Sequence, residues 1–90
     1  MRSAKMKVVN PLGLHARAAA VLVRRAGTFC SDIKIRRTDN QVVADAKSII
    51  SILTLAASKG IEVEIEVSGA DEGEAFRAME EIFVKGFGEI

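Results

Sequence analysis

Between Ile61 and Val67 the sequence alternates strictly between aliphatic side chains and glutamates. A period of two residues places these two sets of side chains on opposite faces of a β-strand. The strand therefore belongs to a sheet with one dry face and one wet face, which is typical of antiparallel sheets. The aliphatic members are Ile61, Val63, Ile65 and Val67, and the glutamates are Glu62, Glu64 and Glu66.

Weaker patterns complete the order β-α-β-β-α-β-α. Residues 5–9 and 32–37 alternate, and residues 41–46 follow a turn sequence as the second arm of a hairpin. Helical spacing predicts a first helix over 16–26, a short second helix over 48–55, and a last helix that Asp71 and Glu74 begin as a capping box. The helices are too few to cover both faces of the sheet, so the pattern predicts an α+β fold with helices on one side. The predicted buried stripe of the first helix is Ala16, Ala19, Ala20, Val23 and Ala26.

Length and composition exclude several classes of protein. Ninety residues predict one domain, spanning 1–90. A net charge of +1 without Trp or Tyr argues against a nucleic-acid-binding protein. The single cysteine, Cys30, excludes a disulfide framework and a multi-cysteine metal site, so we expect no metal or other cofactor. We also expect no signal peptide, no membrane-spanning segment, a cytoplasmic location and a monomer.

The segment Gly13-Leu14-His15-Ala16-Arg17 lies where the first strand leads into the first helix, and it carries the chemistry. His15, the only histidine, is at the expected N-cap. The first turn of a helix presents unpaired N–H groups and a partial positive charge, which bind phosphate and favour a neutral, nucleophilic imidazole. Arg17 can grip phosphate oxygens at the same place. The alternative is that His15 is an ordinary surface residue.

Residues 13–19, Gly-Leu-His-Ala-Arg-Ala-Ala, closely resemble the phosphorylation-site motif G-L-H-A-R-P-A of the HPr family. These are the histidine-containing phosphocarrier proteins of the bacterial phosphoenolpyruvate:sugar phosphotransferase system. The resemblance covers nearly the whole chain, because Asn10 and Leu12 fit the loop before the motif and Lys59-Gly60 fits the later turn. Residues 45–50, Asp-Ala-Lys-Ser-Ile-Ile, resemble the regulatory-serine segment of the family.

The resemblance implies an open-faced sandwich, in which three helices cover one face of a four-stranded antiparallel sheet. It implies that His15 accepts a phosphoryl group on Nδ1 from phosphorylated Enzyme I and passes it to EIIA-type components. Arg17 would orient that group, and the helix start at Ala16, Arg17 and Ala18 would cradle it. Such a protein is a covalent carrier and a substrate of other enzymes, not an enzyme itself.

Ser48 has two interpretations. It is a favoured N-cap for the second helix, and by resemblance it is the serine phosphorylated by HPr kinase/phosphorylase where that enzyme exists. Phosphate there would add negative charge beside the partner-binding face and disfavour docking. Transcriptional regulators are further partners that the resemblance allows.

The second helix holds more aliphatic residues than one buried face needs. Some of them must pack in the core, and the others predict an exposed apolar patch beside His15 that docks Enzyme I and EIIA domains. The basic residues around it could equally be solvated charges. The predicted partner-binding residues are Arg24, Lys47, Ile49, Ile50 and Leu53, with Arg17 at the rim.

Two positions depart from the family pattern. Ala18 stands where the motif has proline, which predicts a looser helix start with the chemistry retained. Ala56 stands where the family often has glycine after the second helix.

Two other functions remain open. One is a regulatory carrier in a nitrogen-related or incomplete phosphotransferase chain. The other is a non-catalytic interaction module in which only Ser48 matters.

The charges are divided along the chain. Residues 1–45 hold nine basic and three acidic side chains, whereas residues 46–90 hold four and nine. If the fourth strand lies between the first and second, as in the resembled fold, its glutamates face lysines and arginines across the wet side of the sheet. We expect the remaining basic residues, Arg17, Arg24, Arg25 and Lys47, to gather at the His15 end.

Overall fold

A computed structural model describes residues 1–89, and it confirms the predicted α+β fold with an open, four-stranded antiparallel sheet. The predicted hairpin arm over 41–46 is shorter than expected, because only three of its residues pair with the preceding strand. A 3₁₀ turn over Gly86–Gly88 was not predicted. The strands are β1 (Arg2–Lys7), β2 (Asp32–Arg37), β3 (Val43–Asp45) and β4 (Glu62–Ser68); the helices are α1 (Ala16–Ala26), α2 (Ile49–Thr54) and α3 (Glu72–Val84).

The alternating segment forms β4, which lies inside the sheet in the order β1-β4-β2-β3. Its aliphatic side chains Val63, Ile65 and Val67 are fully buried, whereas its three glutamates are partly exposed. An interior strand with one dry face is what the two-residue period requires. The helices pack on the dry face, so the wet face of the sheet stays open.

The register across the wet face confirms the expected charge pairing. Glu64 lies opposite Lys5 on β1 and Arg36 on β2. Glu66 lies opposite Lys34, and the Arg36 guanidinium donates hydrogen bonds to both glutamates. Opposite charges paired across strands stabilise a sheet by about 0.2–1 kcal/mol each. Much of the charge division along the sequence is therefore neutralised on this one surface.

Helix α1 turns a different face inward than the alanine spacing predicts. Its buried residues are Ala18, Ala19, Leu22 and Ala26. Ala16 is exposed, and Ala20 and Val23 are only partly buried. Leu22 is the reason, because this fully buried side chain contributes more apolar area than any alanine and so decides which face packs on the sheet.

Asp71 does not form the predicted capping box. Its side chain makes no cap hydrogen bond to α3. Instead the carboxylate accepts hydrogen bonds from the hydroxyl and backbone N–H of Ser31 and from the N–H of Cys30. These bonds, that of the Ser31 hydroxyl foremost, hold the pKa of Asp71 below its ordinary value. Asp71 thus ties the start of α3 to the segment before β2, while the Cys30 thiol is exposed.

Ala56, directly after the C-cap of α2, has a left-handed backbone with φ 50°. This conformation costs an L-residue about 1–2 kcal/mol, which a glycine would avoid. Glycine also makes the unfolded chain more flexible, and this offsets about 0.4–1 kcal/mol of the gain. We therefore expect Ala56→Gly to raise the free energy of unfolding by about 1 kcal/mol, measured by urea denaturation. Ala70→Gly, at an exposed position without positive φ, is the control, and an equal gain there would contradict this explanation.

Candidate functional site

His15 begins α1 and is its N-cap, as predicted. Its backbone is extended, and its carbonyl accepts a hydrogen bond of 2.8 Å from the N–H of Ala19. The ring nitrogen Nδ1 accepts a longer bond of 3.3 Å from the backbone N–H of Arg17. Nδ1 therefore faces the first turn of the helix, where backbone donors and the positive end of the helix dipole converge.

A short loop delivers His15 to this position. The buried Asn10 side chain donates a hydrogen bond of 2.7 Å to the carbonyl of Gly13, and the Gly13 N–H donates one of 3.2 Å back to the carbonyl of Asn10. The N–H of Leu14 donates to the carbonyl of Ala57 at 2.9 Å. The loop is thus fixed both within itself and against the segment after α2.

Glu89 completes the site, although no motif in the sequence pointed to this residue. Its Oε2 lies 2.6 Å from Nε2 of His15, and its Oε1 accepts a hydrogen bond of 2.7 Å from the Asn10 amide. The bond from Asn10 is the main cause that lowers the pKa of Glu89, and the nearby His15 and Arg17 act in the same direction. In the sequence, Glu89 is simply an acidic residue 74 positions after His15, directly after Gly-Phe-Gly, and nothing there links it to the imidazole.

Arg17 lies beside this pair, on the exposed side of the first turn. Its side chain lines a surface depression together with Leu12, Phe87 and Glu89. A guanidinium in this place can bind the oxygens of a phosphoryl group attached to His15. Ala16 is exposed and Ala18 is buried, and both precede the first residue whose N–H bonds within the helix.

Ser48 is the N-cap of α2, as predicted. Its hydroxyl oxygen accepts a hydrogen bond of 3.2 Å from the N–H of Ser51, and its backbone is extended. The side chain is partly buried. The capping interpretation of Ser48 is confirmed by this geometry.

The expectation that four basic residues gather at the His15 end is wrong for three of them. Arg24 and Arg25 lie in the last turn of α1, at the opposite end of the helix from His15. The Lys47 ammonium donates a hydrogen bond of 2.8 Å to the carbonyl of Phe29, just beyond that end. Cations are stabilised there by the negative end of the helix dipole. Of these four, only Arg17 lies beside His15.

Four large aliphatic side chains near α2 and the His15 loop are exposed. Leu12 and Leu53 line one depression with His15, so an apolar rim adjoins the imidazole. Ile52 and Leu55 are buried, as expected for the core-facing side of the second helix. The exposed fractions are 71% for Leu12, 42% for Ile49, 76% for Ile50 and 39% for Leu53.

The structure over residues 1–89 contains no group of three or more His, Cys, Asp or Glu side chains placed to hold a metal ion. No helix in this range has the length and apolar character needed to cross a membrane. The groups that the structure brings together at the site are an imidazole, a carboxylate, a guanidinium and backbone N–H donors. These groups can bind and transfer a phosphoryl group.

Comparison with known proteins agrees with this chemistry. Residues 2–85 match the family model described as "PTS HPr component phosphorylation site". The phosphocarrier protein HPr of Cupriavidus necator is 46% identical over 82 residues, covering 91% of this chain and 90% of that protein. That of Neisseria meningitidis is 39% identical over 89 residues, covering 99% and 98%.

A solved structure extends the likeness to the backbone. The crystal structure of HPr-C-His from Thermoanaerobacter tengcongensis superposes with a TM-score of 0.92 at 36% identity, covering 100% of this chain and 99% of that one. The open-faced arrangement of sheet and helices is thus shared. The motif around His15, the fold and these relatives agree, and the chain belongs to the HPr family of phosphocarrier proteins of the phosphotransferase system.

Proposed function

We propose that this protein carries a phosphoryl group on Nδ1 of His15 between phosphorylated Enzyme I and EIIA-type components. The observation that carries the proposal is the placement of Nδ1 at the start of α1, facing the N–H of Arg17. The protein is then a covalent carrier that other enzymes load and unload, and it does not turn over by itself.

The first turn of α1 supplies what a phosphorylated histidine needs. The hydrogen bond from Arg17 N–H to Nδ1 is long, at 3.3 Å, so it is easily given up when Nδ1 bonds to phosphorus. The N–H groups of Ala16, Arg17 and Ala18 then donate to phosphoryl oxygens, and the helix dipole stabilises their negative charge. The Arg17 guanidinium orients the group from the exposed side.

The exposed aliphatic residues supply the docking surface for partners. Leu53 shares a depression with His15, and Ile49 and Ile50 continue the apolar surface along α2. Arg24 and Lys47 lie at the far end of α1, so they extend this surface away from the imidazole. A partner with an apolar centre and an acidic rim fits it, and Enzyme I and EIIA domains would use it in turn.

The test is incubation with phosphoenolpyruvate and Enzyme I. We expect one acid-labile, base-stable phosphate per chain, which is the stability of a phosphohistidine, detected by mass spectrometry. His15→Ala abolishes the labelling because the chain has no other histidine. Lys59→Ala, at an exposed position outside the site, is the matched control. Labelling that persists in His15→Ala would refute the proposal.

Ser48 is proposed as a regulatory position of the same carrier. It is supported by the exposed surface beside it, because phosphate at this N-cap adds about two negative charges next to Ile49 and Lys47. We expect Ser48→Asp to weaken binding to Enzyme I. Ser48→Asn, a comparable cap without charge, should bind Enzyme I about as tightly as the unaltered protein. Equal binding by both variants would refute this role.

The carrier has two candidate pathways, sugar uptake and a nitrogen-related or incomplete regulatory chain. Both pathways use Nδ1 at the helix start in the same way. They differ in the protein that accepts the phosphoryl group. Transfer from phosphorylated carrier to purified EIIA domains of each type, compared by initial rate, identifies the pathway.

A further inference from the structure

The side chain of Glu89 has a contact that the transfer chemistry described above does not use. Its Oε2 lies 2.6 Å from Nε2 of His15, and the pair is only partly exposed, 27% for His15 and 14% for Glu89. A contact so short and so sheltered fixes the orientation of the ring. The carboxylate is itself fixed, because the buried Asn10 amide donates to its other oxygen at 2.7 Å.

The contact also decides which ring nitrogen carries the proton. An ionised carboxylate can only accept hydrogen bonds, and the depressed pKa of Glu89 keeps it ionised at neutral pH. Nε2 must therefore be the donor of this bond. In the neutral ring Nδ1 then has a free lone pair, which agrees with its acceptance of the Arg17 N–H.

We propose that Glu89 is a positioning residue, which holds the proton of His15 on Nε2 and aims the lone pair of Nδ1 at the helix start. Asn10 supports it by holding the second carboxylate oxygen. This inference rests on the phosphocarrier function proposed above and assigns a role to a residue outside the motif. A carboxylate that orients a histidine in this way also faces the charge that the ring acquires.

The transfer step follows from that arrangement. The lone pair of Nδ1 forms the N–P bond, while the P–N bond of the phosphohistidine donor breaks and its electron pair returns to the donor nitrogen. No proton leaves His15, because Nδ1 holds none. The ring gains a positive charge beside Glu89, and the loss of the phosphoryl group to the next carrier reverses the step.

A direct test uses NMR of the unphosphorylated protein. The chain has one histidine, so the two ring nitrogens of ¹⁵N-labelled protein are observed without overlap. We expect a solvent-protected Nε2 proton, an unprotonated Nδ1, and loss of that proton signal in Glu89→Ala. Glu89→Gln, which keeps an acceptor oxygen, retains the signal. Unchanged ring resonances in Glu89→Ala would overturn the inference.

Kinetics give the second readout. We expect Glu89→Ala to accept the phosphoryl group from Enzyme I about 10–100-fold more slowly, by analogy with the range found when a carboxylate that orients a metal-binding histidine is removed. The rate for Glu89→Gln should fall between those of Glu89→Ala and the unaltered protein, because glutamine orients the ring but does not balance its charge. Glu74→Ala, an exposed glutamate on α3, is the control.

The two proposals fail in different ways. If Glu89→Ala is phosphorylated as fast as Glu74→Ala, the positioning role is overturned and the carrier function stands. If the unaltered protein takes no phosphate from Enzyme I, the carrier function is overturned, and the NMR result alone decides whether Glu89 holds the proton on Nε2. Thermal unfolding of each variant shows whether a slow transfer reflects loss of the fold.

Discussion

A Gly13→Ala variant is expected to lose about 1–4 kcal/mol of folding stability, because the strain and overpacking of one added methyl group exceed what alanine gains by restricting the unfolded chain. Gly13 has φ +68°, and a Cβ there would lie 2.5 Å from the carbonyl oxygen of Ala57 and 2.8 Å from Cα of Ser58. Both are backbone atoms that cannot turn away. The free energy of unfolding of such domains is only about 5–15 kcal/mol, so the loss is a large part of it. Urea denaturation measures the loss.

Gly60→Ala separates the two causes. Gly60 also has a positive φ, +91°, but a Cβ there would meet nothing within 4 Å. No overpacking applies to it, and the backbone strain less the restriction of the unfolded chain leaves an expected loss of about 1 kcal/mol. If both variants lose the same stability, the close approach of Gly13 to the Ala57–Ser58 backbone has no energetic importance, and the loop that delivers His15 is less constrained than we infer.

Phe83→Ala is expected to lower the free energy of unfolding by about 3–5 kcal/mol. Phe83 is fully buried on α3. Its ring packs edge to face against that of Phe87, with the ring centroids 4.9 Å apart. Phe87 belongs to the 3₁₀ turn directly before Glu89, so the cavity also removes support from the segment that carries this carboxylate. Calorimetric or urea unfolding measures the stability.

The matched control is Phe76→Ala on the same helix. Phe76 is only partly buried against the core, so its truncation leaves a smaller cavity and should cost less. The Nε2 proton of His15 supplies a second comparison, because Phe83→Ala should increase its exchange with solvent and Phe76→Ala should not. An equal loss of stability in the two variants would contradict the packing argument.

The parts of the fold with a strong local period were predictable. The alternation around Val63 and Ile65 fixes strand, face and sheet type together, since only one face can be buried. The face of α1 was not predictable from spacing alone, because five alanines fit several stripes and the single Leu22 decides between them through tertiary packing. The Asp71 capping box failed for a similar reason, since Ser31 and Cys30 offer its carboxylate better donors from another part of the chain.

The site was predictable only where it is local. His15, Arg17 and the N-cap at Ser48 lie within short segments whose helix starts can be read from residue type. Glu89 lies 74 residues from His15, and its role depends on how α3 and the following turn return to the start of α1. The basic residues show the same limit, since Arg24 and Arg25 lie in the last turn of α1 and Lys47 bonds to the carbonyl of Phe29, all away from His15.

The position of β4 between β1 and β2 has a consequence for synthesis on the ribosome. The first strand made has its sheet partner among the residues that follow α2, so it waits unpaired while most of the chain is translated. His15 is made early as well, but the carboxylate that holds its ring comes 74 residues later. A nascent chain can expose the imidazole, yet the ring acquires its fixed proton and orientation only after the residues up to Glu89 have left the ribosome.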